Sequence, residues 1–229
     1  MAIIKTQNLH KVYQETKVPV HALNGVDLEI NEGEFTAIVG PSGSGKSTLL
    51  NIIGGLDGPT EGNIEVGGKD ITRMKENQLI DFRLNNIGFV FQSYNLIPVL
   101  TARENVEFIM LLQKRAKKEM NMRTRELLER VGLGDRMDSR PAELSGGQQQ
   151  RVAVARALAS NPQFILADEP TANLDSASTS NLLDMMAEMN REDKTTFVFS
   201  THDQRVIQKA RRVITLEDGK IVSDEVREV

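Results

Sequence analysis

The chain has 229 residues, 39% of them hydrophobic and 26% charged, which is enough for a sizeable core and ordinary for a globular protein. Its net charge of −4 and its 4% of aromatic residues argue against nucleic acid as a partner, because that binding needs basic patches and stacking rings. The absence of cysteine excludes disulfides, thiolate metal sites and cysteine nucleophiles.

The first part of the chain is predicted to be mostly strands. Apolar and polar residues alternate only partly, but short apolar runs are separated by glycine-rich turns. Strands are predicted at 2–13, 21–30, 33–40, 62–71 (as a hairpin) and 86–92, with a helix over 46–56.

The middle of the chain changes to a helical pattern. Helices are predicted over 101–115, 117–133 and 146–160, and Thr101 with Glu104 predicts a capping box at the first of them. Strands return at 163–169, 195–201 and 211–222. This alternation predicts an α/β core with an inserted helical subdomain at about 93–160.

A phosphate-binding loop is predicted at GPSGSGKST (40–48), which fits G-x-x-x-x-G-K-[ST] between a strand and a helix. Glycines let backbone N–H groups converge on phosphate oxygens, the lysine reaches the β- and γ-phosphates, and the serine hydroxyl binds Mg²⁺. The alternative is a glycine-rich turn that fits by chance. The residues expected to hold phosphate are Gly40, Ser42, Gly43, Ser44, Gly45, Lys46, Ser47 and Thr48.

Two acids close the apolar strand FILADE (164–169). A carboxylate at the carboxyl end of a buried strand can hold Mg²⁺, and Asp168 suits that role. Glu169 is predicted to act as general base on a water. The alternative is an acid pair that caps the next helix.

LSGGQ (144–148) is a second glycine-rich helix start. The N–H groups of Gly146 and Gly147 and the hydroxyl of Ser145 are typical of an anion site at a helix N-terminus. The local alternative is that Ser145 only caps the helix.

Taken in order, these motifs make the chain similar to the ATP-binding subunits of ABC transporters over nearly its whole length. The set comprises the phosphate loop, Gln92, LSGGQ, the acidic strand, ANLD (172–175) and His202. The resemblance implies an α/β fold: a P-loop NTPase (RecA-like) core at 1–92 and 161–229, with an antiparallel β-subdomain and a helical subdomain at 93–160.

The resemblance also implies roles for single residues. Tyr13 would stack on adenine, although alone it is an ordinary strand residue. Gln92 would contact Mg²⁺ and the attacking water, and His202, otherwise a loop histidine, would contact the γ-phosphate. Asp175 would shape the contact between two sites, unless it only forms a turn.

In that family two chains pair head to tail, and LSGGQ of one closes over ATP on the other. The resemblance therefore implies that Ser145, Gly146, Gly147 and Gln148 serve a second copy of the chain. The reaction implied is hydrolysis of ATP with Mg²⁺.

Within the family the chain resembles the LolD/MacB type, the lipoprotein-releasing and macrolide-exporting ATPases. SYNLIPVLTARENV (93–106) and RPAELSGGQQQRVAVARAL (140–158) carry this resemblance, while Ala172 stands where that branch more often has glycine. It implies an integral membrane permease partner with a large extracytoplasmic domain, and a peripheral position on the cytoplasmic face of the inner membrane. No apolar run approaches the ~20 residues of a membrane span, and no secretory signal is expected.

Two alternatives remain open. One is a related ATPase of cell division that regulates wall hydrolysis through a membrane partner. The other is a soluble ABC ATPase of DNA repair or translation, which is disfavoured because the chain has neither a long coiled-coil insertion nor a second cassette.

Overall fold

The computed structural model describes residues 1–14 and 18–227. One sheet is antiparallel and has the order β2-β1-β4-β5. Its strands are β1 (Ala2–Tyr13), β2 (Val20–Asn31), β4 (Glu61–Val66) and β5 (Lys69–Asp70). This is the antiparallel β-subdomain that the resemblance implies.

The second sheet has six strands in the order β10-β9-β3-β8-β7-β6. They are β3 (Phe35–Val39), β6 (Ile87–Phe91), β7 (Phe164–Asp168), β8 (Thr196–Ser200), β9 (Arg212–Glu217) and β10 (Lys220–Val226). All neighbours pair in parallel except β10, which pairs antiparallel with β9. The five parallel strands, β3 and β6 to β9, therefore have their carboxyl ends at one edge of the sheet, where ligands of α/β folds bind.

The helices of the described residues are α1 (Lys46–Ile53), α2 (Glu76–Asn86), α3 (Ala102–Leu112), α4 (Lys117–Arg130), α5 (Gly146–Ala159), α6 (Ser176–Asp193) and α7 (Gln204–Lys209). None of them is long and apolar enough to cross a bilayer. The capping box at Thr101 is confirmed: its side chain accepts from the Glu104 N–H at 3.2 Å, and Glu104 accepts from the Thr101 N–H at 2.8 Å. Helix α2 was not predicted.

The six-stranded sheet separates two apolar clusters. In β8, Phe197 and Phe199 belong to the cluster that also holds residues of α3 to α6, while Val198 belongs to the cluster with α1 and the antiparallel sheet. Successive side chains of a strand point to opposite faces, so each strand serves both clusters. The predicted α/β fold of a P-loop NTPase is confirmed. The division at 93–160 stays a prediction, because the helices there share one core with the sheet.

Candidate nucleotide site

The loop at 40–45 joins β3 to α1 at the carboxyl edge of the six-stranded sheet. Its backbone lies against two other segments: a Cβ on Gly40 would lie 2.0 Å from the carbonyl oxygen of Leu216, and one on Gly45 would lie 2.3 Å from that of Ala22. Both glycines have positive φ, +148° and +100°. Any side chain at these two positions would displace the loop, so the glycine pattern of the motif has a structural cause here.

The polar groups of this loop are arranged around its interior. The ammonium of Lys46 donates to the carbonyl oxygens of Gly40 and Pro41, both at 2.9 Å. The hydroxyl of Ser44 is buried and makes no hydrogen bond among the described residues. Ser42 and Gly43 form the exposed tip, and Thr48 is half-buried in the first turn of α1. Within 1–14 and 18–227, neither this hydroxyl nor the Lys46 ammonium has an anionic partner, so both are suited to an anionic ligand.

Ser47 and Asp168 meet, although they are far apart in sequence. The hydroxyl of Ser47 donates to Oδ1 of Asp168 at 3.0 Å, because α1 begins beside the end of β7. A hydroxyl oxygen and a carboxylate oxygen are the hard donors that Mg²⁺ prefers. No cluster of three or more acidic or histidine side chains that could hold a metal occurs in residues 1–14 and 18–227. The pair thus fits a Mg²⁺ that takes its other ligands from phosphates and water.

Glu169 follows Asp168 in an unusual backbone conformation. Its φ is +45°, a left-handed value that costs a non-glycine residue roughly 1–2 kcal/mol. Its N–H donates to the carbonyl of Ser200 at 2.8 Å, which ties it to the neighbouring strand β8. Strained residues of this kind concentrate at functional sites.

The carboxylate of Glu169 is held on both oxygens. Thr201 Oγ1 donates to Oε2 at 3.1 Å, and His202 Nδ1 lies 2.7 Å from Oε1. A carboxylate only accepts, so this contact requires the proton on Nδ1 of the imidazole. Each oxygen keeps a further lone pair that can accept from a water. The side chain of His202 is 77% exposed and can turn toward a ligand.

Asp203 anchors the loop that carries His202. It caps α7 through the Arg205 N–H at 2.9 Å and accepts from Thr171 Oγ1 at 2.8 Å. The hydrogen-bonded guanidinium of Arg205 lowers the pKa of Asp203 to about 2, and the backbone and threonine hydrogen bonds add to this effect. The sequence did not point to Asp203 or Thr171.

Gln92 lies directly after β6, one residue beyond Phe91, which is the register partner of Asp168. It was predicted as the last strand residue, but β6 ends at Phe91. Its carbonyl accepts from Nδ2 of Asn173 at 3.0 Å. Gln92 and Glu169 therefore leave the sheet from adjacent strands.

The segment after Gln92 is held by Arg156, to which the sequence did not point. Arg156 of α5 donates to the carbonyl oxygens of Tyr94 and Asn95, and both of these residues have left-handed φ values, +60° and +50°. Burial lowers the pKa of Arg156, yet an arginine stays charged at neutral pH. The hydroxyl of Tyr94 in turn reaches the carbonyl of Asn173 at 3.4 Å. Arg156 thus holds the segment after Gln92 to α5, and Tyr94 joins that segment to the one that contains Asn173.

Tyr13 closes β1 and is fixed by two residues that the sequence did not suggest. Its hydroxyl donates to Oδ2 of Asp57 at 2.8 Å, and the Lys11 ammonium lies 4.7 Å from its ring centre and 2.6 Å from Oδ1 of Asp57. Burial raises the pKa of Asp57, but the hydrogen bonds from Lys11 and Tyr13 outweigh it and hold the pKa below its ordinary value.

The LSGGQ segment forms its own cap. Ser145 accepts from the Gln148 N–H at 3.3 Å, and Gln148 accepts from the Ser145 N–H at 2.8 Å. Gly146 lies beside the Tyr94 hydroxyl and Gly147 beside Ser178 of α6. Asp175 caps α6, accepting from the Ser178 N–H at 2.9 Å and from its hydroxyl at 2.7 Å.

Tyr13 lies in the antiparallel sheet, and the other predicted site residues fall into two groups. The phosphate loop, Asp168, Glu169, His202 and Gln92 lie along the same edge of the sheet. None of the hydrogen bonds among residues 1–14 and 18–227 joins 145–148 to 40–48.

Comparisons with known proteins agree with this geometry. The ABC transporter family profile matches residues 23–172, more than half of the chain. The lipoprotein-releasing system ATP-binding protein LolD of Legionella pneumophila is 46% identical over 97% of this chain and 98% of its own length. The macrolide export ATP-binding/permease protein MacB of Marinobacter nauticus is 46% identical over 97% of this chain, which spans 34% of that longer protein.

A solved structure extends the likeness to the fold. The ATP-binding cassette MJ0796, a dimer in a post-hydrolysis state bound to ADP and Pi, matches with a TM-score of 0.90 and 44% identity over 99% of both chains. The predicted family, its LolD/MacB likeness and the predicted enzyme class are confirmed. The chain belongs to the ABC transporter family, as one of its ATPase cassette subunits.

Proposed function

We propose that this subunit hydrolyses MgATP in a head-to-tail dimer and drives a membrane permease of the lipoprotein-releasing or macrolide-exporting type. The observation that carries the proposal is the contact of Ser47 with Asp168 at 3.0 Å, next to Glu169 and beside the phosphate loop. It joins a phosphate cradle, a pair of hard oxygen donors and a base at one edge of the sheet.

ATP binding is the task of the phosphate loop. Backbone N–H groups of residues 40–45 and the N-terminus of α1 attract the phosphates, with Ser42, Gly43 and Ser44 around them. Lys46 exchanges its two carbonyl partners for the β- and γ-phosphates. Tyr13, oriented by Asp57, offers its ring to the adenine.

Ser47 and Asp168 would hold Mg²⁺, with Gln92 nearby on the adjacent strand. When bound, the ion neutralises charge that develops on the phosphates. The protein residues supply the remaining chemistry.

Hydrolysis is an attack of water on the γ-phosphorus. The oxygen of the water bonds to the γ-phosphorus while Glu169 accepts a proton from that water. The bond from the γ-phosphorus to the β–γ bridging oxygen breaks, and ADP is released. Thr201 and His202 hold the carboxylate in place, and His202 can also donate to the γ-phosphate. Gln92 orients the water.

The second chain completes each site. Ser145, Gly146, Gly147 and Gln148 stand at the N-terminus of α5, where N–H groups attract anions. Because they make no hydrogen bond to the phosphate loop of their own chain, they are available to the nucleotide of a partner. Asp175, which caps the next helix α6, would lie where the two sites meet.

The proposed membrane partner rests on the similarity of this chain to the LolD/MacB type. Similarity to LolD and to MacB, an export ATP-binding/permease protein, supports an integral permease as the partner. We infer that this permease has a large extracytoplasmic domain and that the subunit lies on the cytoplasmic face of the inner membrane. We take cargo release or export, rather than import, as the process that hydrolysis drives.

Recovery of the complex from its native membranes tests this proposal. The tagged chain is purified from gently solubilised membranes with a slowly hydrolysed ATP analogue, and co-purifying proteins are identified by mass spectrometry. A permease with few spans and a large extracytoplasmic domain, together with an envelope component or lipoprotein, is the expected result. A cell-division protein or wall hydrolases would instead establish the regulatory alternative. Recovery of no membrane protein would contradict the transporter role.

A further inference from the structure

A hairpin turn near the end of the chain lies directly behind the phosphate loop. The turn consists of Asp218 and Gly219, between β9 and β10. The N–H of Gly219 donates to the carbonyl of Ser44 at 3.1 Å. Just before the turn, the carbonyl of Leu216 faces Gly40, where it leaves no space for a Cβ. The turn and the end of β9 just before it therefore contact the phosphate loop near both of its ends.

Strand β2 fixes the same turn from its other side. The N–H of Asn24 donates to the carbonyl of Gly219 at 2.9 Å, and its side-chain amide donates to the carbonyl of Asp218 at 2.7 Å. A Cβ on Gly219 would lie 2.8 Å from the Ala22 carbonyl oxygen, 2.9 Å from Leu23 Cα and 3.0 Å from Nδ2 of Asn24. The two nearest of these atoms belong to the backbone, which cannot rotate away as a side chain can. The turn is thus wedged between β2 and the phosphate loop.

The hydrogen bond from Gly219 to the Ser44 carbonyl also sets the direction of the Gly45 N–H. A peptide unit is planar and trans, so the N–H of Gly45 points opposite to the carbonyl of Ser44. Because that carbonyl points at Gly219, the Gly45 N–H points away from the turn, toward the side of the loop that the turn leaves open. This is one of the N–H groups expected to bind phosphate.

We propose that the Asp218–Gly219 turn is a positioning element that aims the Ser44–Gly45 peptide unit of the phosphate loop at the nucleotide. The inference rests on the proposed function, since it concerns ATP binding by that loop. Gly219 touches no substrate and acts only through Ser44.

A second hairpin supplies a matched control. Gly68, in the turn between β4 and β5, has a φ of +75°, the same value as Gly219. A Cβ on Gly68 would meet nothing within 4 Å. Alanine at either position has the same unfavourable φ, but only at Gly219 does it also push against β2 and the loop. The difference between the two variants therefore reports the wedge alone.

The test compares wild type, Gly219→Ala and Gly68→Ala in three measurements. These are the Kd of a fluorescent ATP analogue, the KM and kcat of ATP hydrolysis, and the thermal midpoint. Gly219→Ala is expected to raise Kd and KM about fivefold or more, which corresponds to about 1 kcal/mol or more. Gly68→Ala is expected to leave both within about twofold while it lowers the thermal midpoint.

A second, milder variant keeps the proposal testable if the Gly219→Ala chain does not fold. Asn24→Ala keeps the backbone contact with Gly219 but removes the side-chain hydrogen bond to Asp218. It is expected to raise Kd and KM in the same direction and by less. Such a rise, with kcat little changed, supports the positioning role.

The two proposals fail in different ways. If wild type binds and hydrolyses ATP while Gly219→Ala and Asn24→Ala match Gly68→Ala in Kd and KM, the turn has only a structural role and the inference is overturned. If wild type itself neither binds nor hydrolyses ATP, the proposed function is overturned and the inference falls with it.

Discussion

Two helices of this chain begin with a glycine-rich stretch, and they begin very differently. Before α1, the backbone of Gly40 and Gly45 is packed against Leu216 and Ala22, and the buried hydroxyl of Ser44 makes no hydrogen bond among the described residues. Before α5, the groups of Ser145 and Gln148 satisfy each other in a capping box. The first stretch is shaped by the rest of its own chain, and the second is closed on itself.

The difference teaches how the two stretches divide their work. A loop held by backbone contacts on several sides can present N–H groups in a fixed arrangement, which favours binding without reorganisation. A capped helix start that is exposed can meet a ligand carried by another molecule. Under the proposed function, the phosphate loop binds the nucleotide of its own chain, and LSGGQ belongs to the nucleotide site of a second chain.

The largest expected effect comes from blocking LSGGQ. Ser145→Arg should abolish ATP turnover and leave nucleotide binding to the phosphate loop intact, because the bulky side chain keeps the second chain from closing. Turnover and binding of a fluorescent ATP analogue measure the two effects. A 1:1 mixture with a Lys46→Ala chain provides the control, since one site of the mixed dimer then has an intact loop and an intact LSGGQ. Turnover should reappear in the mixture, and normal turnover by Ser145→Arg alone would contradict the division of work.

The next effect tests the chemistry beside the phosphate loop. Glu169→Gln should slow hydrolysis by about 10²- to 10⁴-fold, because the amide cannot accept the proton of the attacking water. ATP should still bind, and the dimer should accumulate on gel filtration in the presence of ATP. Asp184→Asn, a change at a distant exposed carboxylate, is the control. Hydrolysis at the wild-type rate would remove Glu169 as the base.

A smaller effect concerns the support of His202. Asp203→Asn should lower the free energy of unfolding at neutral pH by about 1–2 kcal/mol, since a pKa held near 2 in the folded state stabilises it. That stabilisation is present above the unfolded pKa near 3.8 and disappears as the pH falls toward 2. Denaturant unfolding from pH 7 to pH 2 measures the difference between wild type and variant. Asp138→Asn, at an 85% exposed side chain, should show little change. A constant difference across this range would exclude titration of Asp203 as the cause.

The smallest effect is expected at Tyr13, which lies in the other sheet. Tyr13→Ala should raise the Kd of ATP about fivefold, because ring stacking contributes on the order of 1 kcal/mol. Tyr13→Phe keeps the ring but loses the hydrogen bond to Asp57, so it should retain most of the affinity. Equal affinity in wild type and Tyr13→Ala would mean that adenine is bound elsewhere.

Much of this could be predicted because local sequence determines it. The strand–loop–helix at 33–53, the acids at the end of β7 and the capping box at Thr101 each depend on residues close together in the chain. Helix α2 was not predicted because Phe82 is its one buried residue, while its other apolar residues are half-buried (Leu79, Leu84) or exposed (Ile80), so no continuous apolar stripe marks it. Hydrophobic periodicity arises from a buried face, so a helix that is mostly exposed shows little of it.

The supports of the site could not be predicted because they join distant residues. Asp57 reaches Tyr13, Arg156 reaches Tyr94, and Gly219 reaches Ser44 only once the sheets are formed. Aspartate, arginine and glycine are common on surfaces and in turns, so none of the three stands out in sequence. Their partners are mostly backbone carbonyls, which every residue provides.

The position of β3 also orders events during synthesis. The strand that leads into the phosphate loop is made early, but both of its neighbours, β8 and β9, come from the last fifth of the chain. A nascent chain has no partner for either edge of β3 until β8 and β9 have been synthesised. The strand that leads into the phosphate loop therefore stays unpaired until residues 196–217 have been made, and the loop lacks its support up to that point.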